Sequence, residues 1–359
     1  MSKARGLADL GNVYNDGALS NRNLVINGAM QVAQRGTSFA SWTGTSAYCL
    51  DRWKYTNYQS GAVTISQDID APSGFSNSLK ISTTSTDAGP STYSFLQQLI
   101  AGQDVASLAY GSATPKQVTV SFWVKSNMTG VYTFNIATQT SGRRVASTYT
   151  VTSANIWEYK TVTFDGDSAS TIVYNSTLGF ICEWWFAAGS NFTSSPLPTA
   201  WSAMTNTARS TGITVGINAS TSNYVNITGV QLEVGDTATP FEHRSYGQEL
   251  ALCQRYFEAY NGSASSGYMP IGMAWTTNEP RFDILYLEKR VAPTISLQSG
   301  STLISNNAGS GTEHVWSSFT ADDATTKTTL IYGTNSMAAT QGYAIQTRLI
   351  GNLLIDAEL

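Results

Sequence analysis

The groups in this chain best suited to hold a ligand are its aromatic rings: nine Trp, eighteen Tyr and thirteen Phe among 359 residues. Flat apolar rings stack on the faces of sugar rings, while amide and hydroxyl groups fix the orientation. Trp123 stands out because its neighbours Phe122 and Val124 define the opposite, apolar face of a strand. Trp184 and Trp185 are adjacent and must point to opposite faces, so one belongs to a core and the other is expected at an exposed or interfacial position. Tyr55 and Tyr58 complete the candidate glycan-contact residues. For any one of these rings a core or a subunit interface is the commoner role. Trp53 is expected in the core, with Asp51 and Arg52 orienting it.

Catalysis is poorly provided for. Glycoside hydrolysis needs two carboxyl groups flanking the scissile bond, and Asp68 with Asp70, Asp165 with Asp167, and Asp322 with Asp323 are the available pairs. Each is more simply a solvated turn or strand end. His243 and His314 have no neighbouring pattern that would make a metal site or a triad. Neither Cys-x-x-Cys, His-Glu-x-x-His nor a phosphate-binding glycine loop occurs. No catalytic residue, metal ligand or cofactor is assigned, and an enzyme is not expected. Asp165-x-Asp167 could contribute oxygens to calcium, but the rest of an EF-hand loop is missing. Cys49, Cys182 and Cys253 are far apart and odd in number, the pattern of reduced, buried thiols.

The elements that must carry these residues read as mainly β. Residues 118–124, 131–136 and 159–164 alternate apolar and polar side chains, and residues 177–186, 212–219 and 224–234 complete a series of strands separated by turn residues. A jelly-roll β-sandwich over residues 23–244 is the expected architecture. Ser245-x-x-Gln248 forms a capping box. Leu250, Cys253, Phe257 and Tyr260 follow at helical spacing, predicting one short connecting helix over 245–261. Patterning restarts in residues 262–359, where strands at 268–275, 281–287, 294–297, 314–319, 327–331 and 342–346 predict a second, smaller C-terminal β-domain. Residues 1–22 are polar and weakly patterned, either a tether to another protein or a frayed terminus.

Charged residues make up 12% of the chain, about half the usual share of roughly 25%. A surface so sparsely charged favours assembly over a free monomer. The net charge of -4 argues against nucleic acid, which needs a concentrated basic face. The adjacent basic pair Arg143-Arg144 reads as a solvated hairpin tip. No apolar run reaches the length of about 18 residues that spans a membrane. The first ten residues, MSKARGLADL, lack a signal-peptide core, which predicts a chain held in a cytoplasm until release.

Residues 227–260, ITGVQLEVGDTATPFEHRSYGQELALCQRYFEAY, resemble the signature of phage virion proteins of tail-fibre or carbohydrate-binding-like type. A second block, NLVINGAMQ at 23–31 with Gln34-Arg35-Gly36 and Leu50-Asp51-Arg52-Trp53, is similar to the same family, as are the first segment and the final Asp356-Ala357-Glu358-Leu359. The resemblance implies a carbohydrate-binding-module-like jelly roll. It further implies a trimeric tail fibre subunit, anchored by its N-terminal arm through Arg5, Leu7, Leu10, Val13 and Tyr14, and touching host-surface glycan. The implied partners are further copies of the chain and other virion proteins. The implied location is the virion, after assembly in the host cytoplasm. A head fibre, capsid decoration or tail adaptor with a purely structural role is the alternative, and a glycan-degrading tailspike a third. Related carbohydrate-binding modules hold a structural calcium near their first strand, which would implicate backbone near Asn27 with no acidic partner assigned.

Overall fold

The computed structural model describes residues 21–58, 61–87, 89–262, 269–307, 313–335 and 344–359. The chain divides into two compact units, Met1–Glu249 together with Leu359, and Leu250–Glu358.

Among the described residues the first unit contains β1 (Ser38–Trp42), β2 (Thr45–Tyr48), β3 (Trp53–Tyr58), β4 (Ala62–Asp68), β5 (Ser78–Ser85), β6 (Tyr93–Ala101) and β7 (Val118–Ser126). Then come β8 (Gly130–Thr138), β9 (Arg143–Val151), β10 (Glu158–Phe164), β11 (Leu178–Ala188), β12 (Ser202–Ala203) and β13 (Tyr224–Val234). They form two antiparallel sheets. The front sheet has the order β1-β4-β5-β13-β7-β10, and the back sheet β12-β9-β8-β11-β6-β3-β2. This is the β-sandwich of jelly-roll type that the alternation predicts. Val118, Val120, Phe122 and Val124 of β7 face Tyr132, Phe134 and Ile136 of β8 and Phe180, Cys182 and Trp184 of β11 across one buried core. Each such side chain contributes on the order of 1.5–3 kcal/mol when fully buried. Residues 212–219, expected as a strand, are instead irregular with one 3-10 turn at Ile217–Ala219. Backbone there bonds outward, Thr214 N–H to the Val131 carbonyl at 2.9 Å. Tertiary docking thus takes the place of ladder pairing.

Helix α1 (Tyr246–Gln254) begins at the predicted capping box. Ser245 N–H donates to Gln248 Oε1 at 3.0 Å, and Gln248 N–H reaches Ser245 Oγ at 3.4 Å. The helix ends earlier than its sequence spacing suggests. Phe257, expected on the helix, starts strand β14 (Phe257–Gly262). In the second unit β15 (Gly272–Thr276), β16 (Glu279–Leu285), β17 (Thr294–Leu297), β18 (Thr302–Asn307), β19 (Glu313–Val315), β20 (Thr320–Asp322), β21 (Thr328–Tyr332) and β22 (Ala344–Asp356) follow. The long strand β22 organises them: β15 and β18 pair with its part before Gly351, β14 and β17 with its part after. The ladder that β22 offers to residues 257–262 outcompetes a further helical turn. A core of Phe282, Ile284, Leu303, Ile331, Leu349, Leu353 and Ile355 fills this unit.

Candidate functional site

Alternation along β7 puts Thr119, Ser121, Trp123 and Lys125 on the outer side of the front sheet, opposite its buried valines. The antiparallel partner β10 sets Tyr159 directly against Trp123, with ring centroids 5.3 Å apart and planes tilted by 50°. Val124 pairs with Glu158 in the same register, so Trp157, just before β10, lies toward Lys125 in the next row. Trp123 and Trp157 are partly exposed, and Tyr159 is 44% exposed.

Two loops complete this surface. On the other flank of β7, β13 shifts register between Thr228 and Gln231, with Gly229 in the left-handed region at φ 59. A Cβ at Gly229 would meet the Phe75 ring at 2.7 Å and Trp123 at 3.0 Å. Glycine therefore lets both rings close over the strand. Phe75, from the β4–β5 connection, packs edge-on against Phe241 at 5.0 Å and lies 5.3 Å from His243. His243 thus joins a ring cluster. The same connection carries Asp70. Its Oδ2 accepts from Lys125 Nζ at 2.7 Å and its Oδ1 from Trp157 Nε1 at 3.0 Å. The Lys125 hydrogen bond, against a smaller effect of burial and helped by the Trp157 N–H, holds the Asp70 carboxyl below its ordinary range. Aromatic faces, one anion and one cation thus lie together on an open sheet.

The back sheet presents a different picture. Tyr55, Trp184 and Trp185, expected as glycan contacts, are all fully buried at 0% exposure. Tyr55 and Trp184 point into the sandwich core. Trp185 points outward as alternation requires, but residues 189–212 return over that face and cover it. Asn135 Nδ2 donates to the Arg209 carbonyl at 2.7 Å, and the Arg209 guanidinium sits 4.9 Å from the Phe95 ring centroid and 5.1 Å from that of Trp185. Beneath it Glu183 is almost wholly buried, held by Arg209 at 2.7 Å, Arg144 at 3.4 Å, Gln97 at 3.0 Å and the Trp185 N–H at 3.2 Å. Arg144 is therefore not the solvated hairpin tip its sequence suggests; it is a buried partner of Glu183. Tyr58 alone of the back-sheet candidates is open, 58% exposed and stacked on Tyr93 with centroids 5.4 Å apart.

The sequence blocks at residues 23–31 and 227–260 converge in space as a structural latch. Asn23 Nδ2 donates to the Val230 carbonyl at 3.0 Å, and Leu232 N–H returns to Asn23 Oδ1 at 3.1 Å. Asn23 N–H donates to Glu242 Oε2 at 2.9 Å, and Asn27 N–H to the Glu249 carboxylate. Arg244 donates to the carbonyls of Asn23 and Val25. Gly28 lies so close to β13 that a Cβ would overlap the Val230 carbonyl oxygen. Trp53 is buried as expected, but it is oriented by its Nε1 donating to the Asn27 carbonyl at 2.9 Å. Asp51 does not orient that ring; it accepts from Gln34 N and Nε2, each at 2.6 Å, and Arg52 donates to the Leu99 carbonyl. The expected attachment residues Arg5, Leu7, Leu10, Val13 and Tyr14 lie outside the described residues.

The acidic pairs are engaged locally. Asp68 pairs with Lys80 at 3.1 Å, and Asp165 Oδ1 accepts from Gln117 at 2.6 Å. The Asp167 carboxylate accepts from the Arg143 guanidinium, the Ser170 hydroxyl and the Ala169 N–H. Asp322 accepts from the Asp323 N–H. Among the described residues no group of three or more His, Cys, Asp and Glu is placed to hold a metal ion, and no helix is long and apolar enough to cross a membrane.

No family model and no curated protein matches the chain. Among solved structures it is similar to the enzymatically active domain of tailspike protein 4 from bacteriophage CBA120, at 14% identity and a TM-score of 0.33 over 60% of this chain and 22% of that one. It is similar to a protein described as sugar binding from Bacteroides thetaiotaomicron, at 11% identity and a TM-score of 0.34 over 59% of this chain and 100% of that one. A third likeness is to the xylan-binding CBM22-1 domain from Paenibacillus barcinonensis, at 9% identity and a TM-score of 0.27 over 51% of this chain and 87% of that one. Likenesses this distant carry no argument about ligand or activity.

Proposed function

We propose that this chain is a structural subunit of a phage particle, a tail fibre protein that contacts host-surface glycan without cleaving it. The observation that carries the binding role is the open ring surface of the front sheet, Trp123 beside Tyr159 with Trp157, Asp70 and Lys125 next to them. Stacking on such rings is weak for one sugar and gains strength when several copies bind at once. The particle assignment rests on the resemblance of residues 23–31 and 227–260 to virion proteins. The local engagement of each acidic pair supports a non-catalytic role. Assembly as a homotrimer, fixed to the particle through residues 1–22, accounts for the sparse charge of the chain. It also accounts for Ile271, Met273, Trp275 and Leu285, which the second unit leaves exposed.

Three measurements test this. The full chain on a glycan array should bind, and Trp123→Ala should abolish the signal. Light scattering should return the mass of three chains, and a concentration-independent monomer would refute the trimer. Immunogold on intact particles should mark the tail, and label confined to the capsid would overturn the fibre assignment.

A further inference from the structure

We infer that Asp70, Lys125 and Trp157 are the polar end of a single-sugar subsite that takes an uncharged pyranose through two adjacent hydroxyls, while Trp123 and Tyr159 carry its ring. The inference rests on the glycan reading above and specifies its ligand class.

The geometry is that of two neighbouring rows on one sheet face. Trp123 and Tyr159 are cross-strand partners, and Lys125 and Trp157, each two residues along the chain from one of them, meet at the Asp70 carboxylate. Residues i and i+2 of a strand lie roughly 6.6–6.8 Å apart, and cross-strand partners have Cβ atoms about 4.5–5.5 Å apart. A sugar lying on the first row therefore presents its hydroxyls to the second. There it meets an acceptor and a donor side by side. A carboxylate has about four lone-pair sites; Asp70 uses one on each oxygen, toward Lys125 and Trp157. Its side chain remains 41% exposed, so the unused sites are reachable. Lys125 has three N–H donors in all, one of them directed at Asp70. Adjacent hydroxyls, each both donor and acceptor, satisfy such a pair simultaneously.

The charge pattern selects against acidic sugars. Asp70 and Lys125 cancel, and the neighbouring Asp68 is matched by Lys80 at 3.1 Å. A uronate or sialate carboxylate would face Asp70 without a spare cation, a like-charge contact that disfavours binding. Trp157 is a positioning residue here, because its N–H fixes the Asp70 carboxylate.

The test uses the full chain on an array of neutral and acidic oligosaccharides, followed by calorimetric titration of the strongest neutral ligand into wild type, Asp70→Asn, Lys125→Met and Trp157→Phe. Neutral glycans should dominate, and hydrogen bonds to charged groups imply a loss of about tenfold or more for Asp70→Asn and Lys125→Met. Trp157→Phe keeps a ring but leaves the carboxylate held by Lys125 alone, and should weaken binding severalfold at an unchanged melting temperature. Glycan binding that survives Asp70→Asn and Lys125→Met undiminished, or that prefers acidic ligands, overturns this inference and leaves the general glycan reading standing. Wild type that binds no glycan overturns both. Should Asp70→Asn fail to fold, the other two variants decide alone.

Discussion

Replacing Glu183 tests the account of the back sheet most sharply. Its carboxylate is buried between two guanidiniums and accepts from Gln97, Asn135 and Trp185 as well. Burial by itself would raise its pKa, but the Arg209 and Arg144 charges outweigh that and hold it at about 2, against an ordinary 4.5. A depression of that size corresponds to about 3 kcal/mol of folded-state stability at neutral pH. Burial also pulls the Arg144 guanidinium below its ordinary range, so the cluster as a whole contributes less than Glu183 taken alone. Breaking a buried pair from one side is more severe, roughly 3–5 kcal/mol, because the remaining cations stay buried without a counter-charge. Glu183→Gln keeps the shape and removes only the charge. In a unit of this size it should lower the melting temperature by roughly 6–20 °C. Near-UV circular dichroism of the full chain follows the packing of Trp184 and Trp185 directly. The pH dependence has a definite sign. A depressed carboxyl stabilises fully above its unfolded value and loses that effect as pH falls through the folded value. The gap between wild type and Glu183→Gln should therefore be widest above about pH 4.5 and close toward pH 2. A variant within about 1 kcal/mol of wild type at pH 7, or a gap that does not change with pH, would refute the reasoning.

Two further outcomes concern the latch and the thiols. Gly28→Ala places a Cβ against the Val230 carbonyl, and Asn27→Ala removes bonds to the Val32 and Asp51 carbonyls and the Val32 N–H. Each should cost about 2–4 kcal/mol in urea denaturation; a cost under about 0.5 kcal/mol for Gly28→Ala would mean that the two sequence blocks do not hold each other, and for Asn27→Ala that the turn is not held by this side chain. Cys49, Cys182 and Cys253 are fully buried, and burial pushes the Cys49 thiol up to about 12 and Cys182 higher still. All three should resist Ellman's reagent in the native chain at pH 8 and react on unfolding; rapid labelling of any native thiol would contradict the packing.

Strand β7, the capping box at Ser245 and the position of Trp53 in the core were legible from residue pattern, because each depends on neighbours within a few positions. Phe257 lies beyond that reach: its helical spacing is real but yields to the ladder offered by β22, far along the chain. The strand expected at 342–346 is only the start of β22, which runs on to Asp356 and changes partners around Gly351. Tyr159 and Asp70 were missed as neighbours of Trp123. Alternation over 159–164 sets Tyr159 on the face opposite Val162 and Phe164, but nothing local gives the register between β7 and β10.

The sequence by itself determined that this is a β protein with a capped connecting helix, without a catalytic motif, and with rings on alternate faces of its strands. A period of two fixes which residues share a face, and that is all it can fix. Tertiary structure decided which faces stay open. The return of residues 189–212 sealed Trp185 over Glu183, while the bulge at Gly229 and the β4–β5 connection left Trp123 at the surface with Asp70 and Lys125 beside it. Coverage of a sheet face is set by segments distant in sequence, so local pattern carries no record of it.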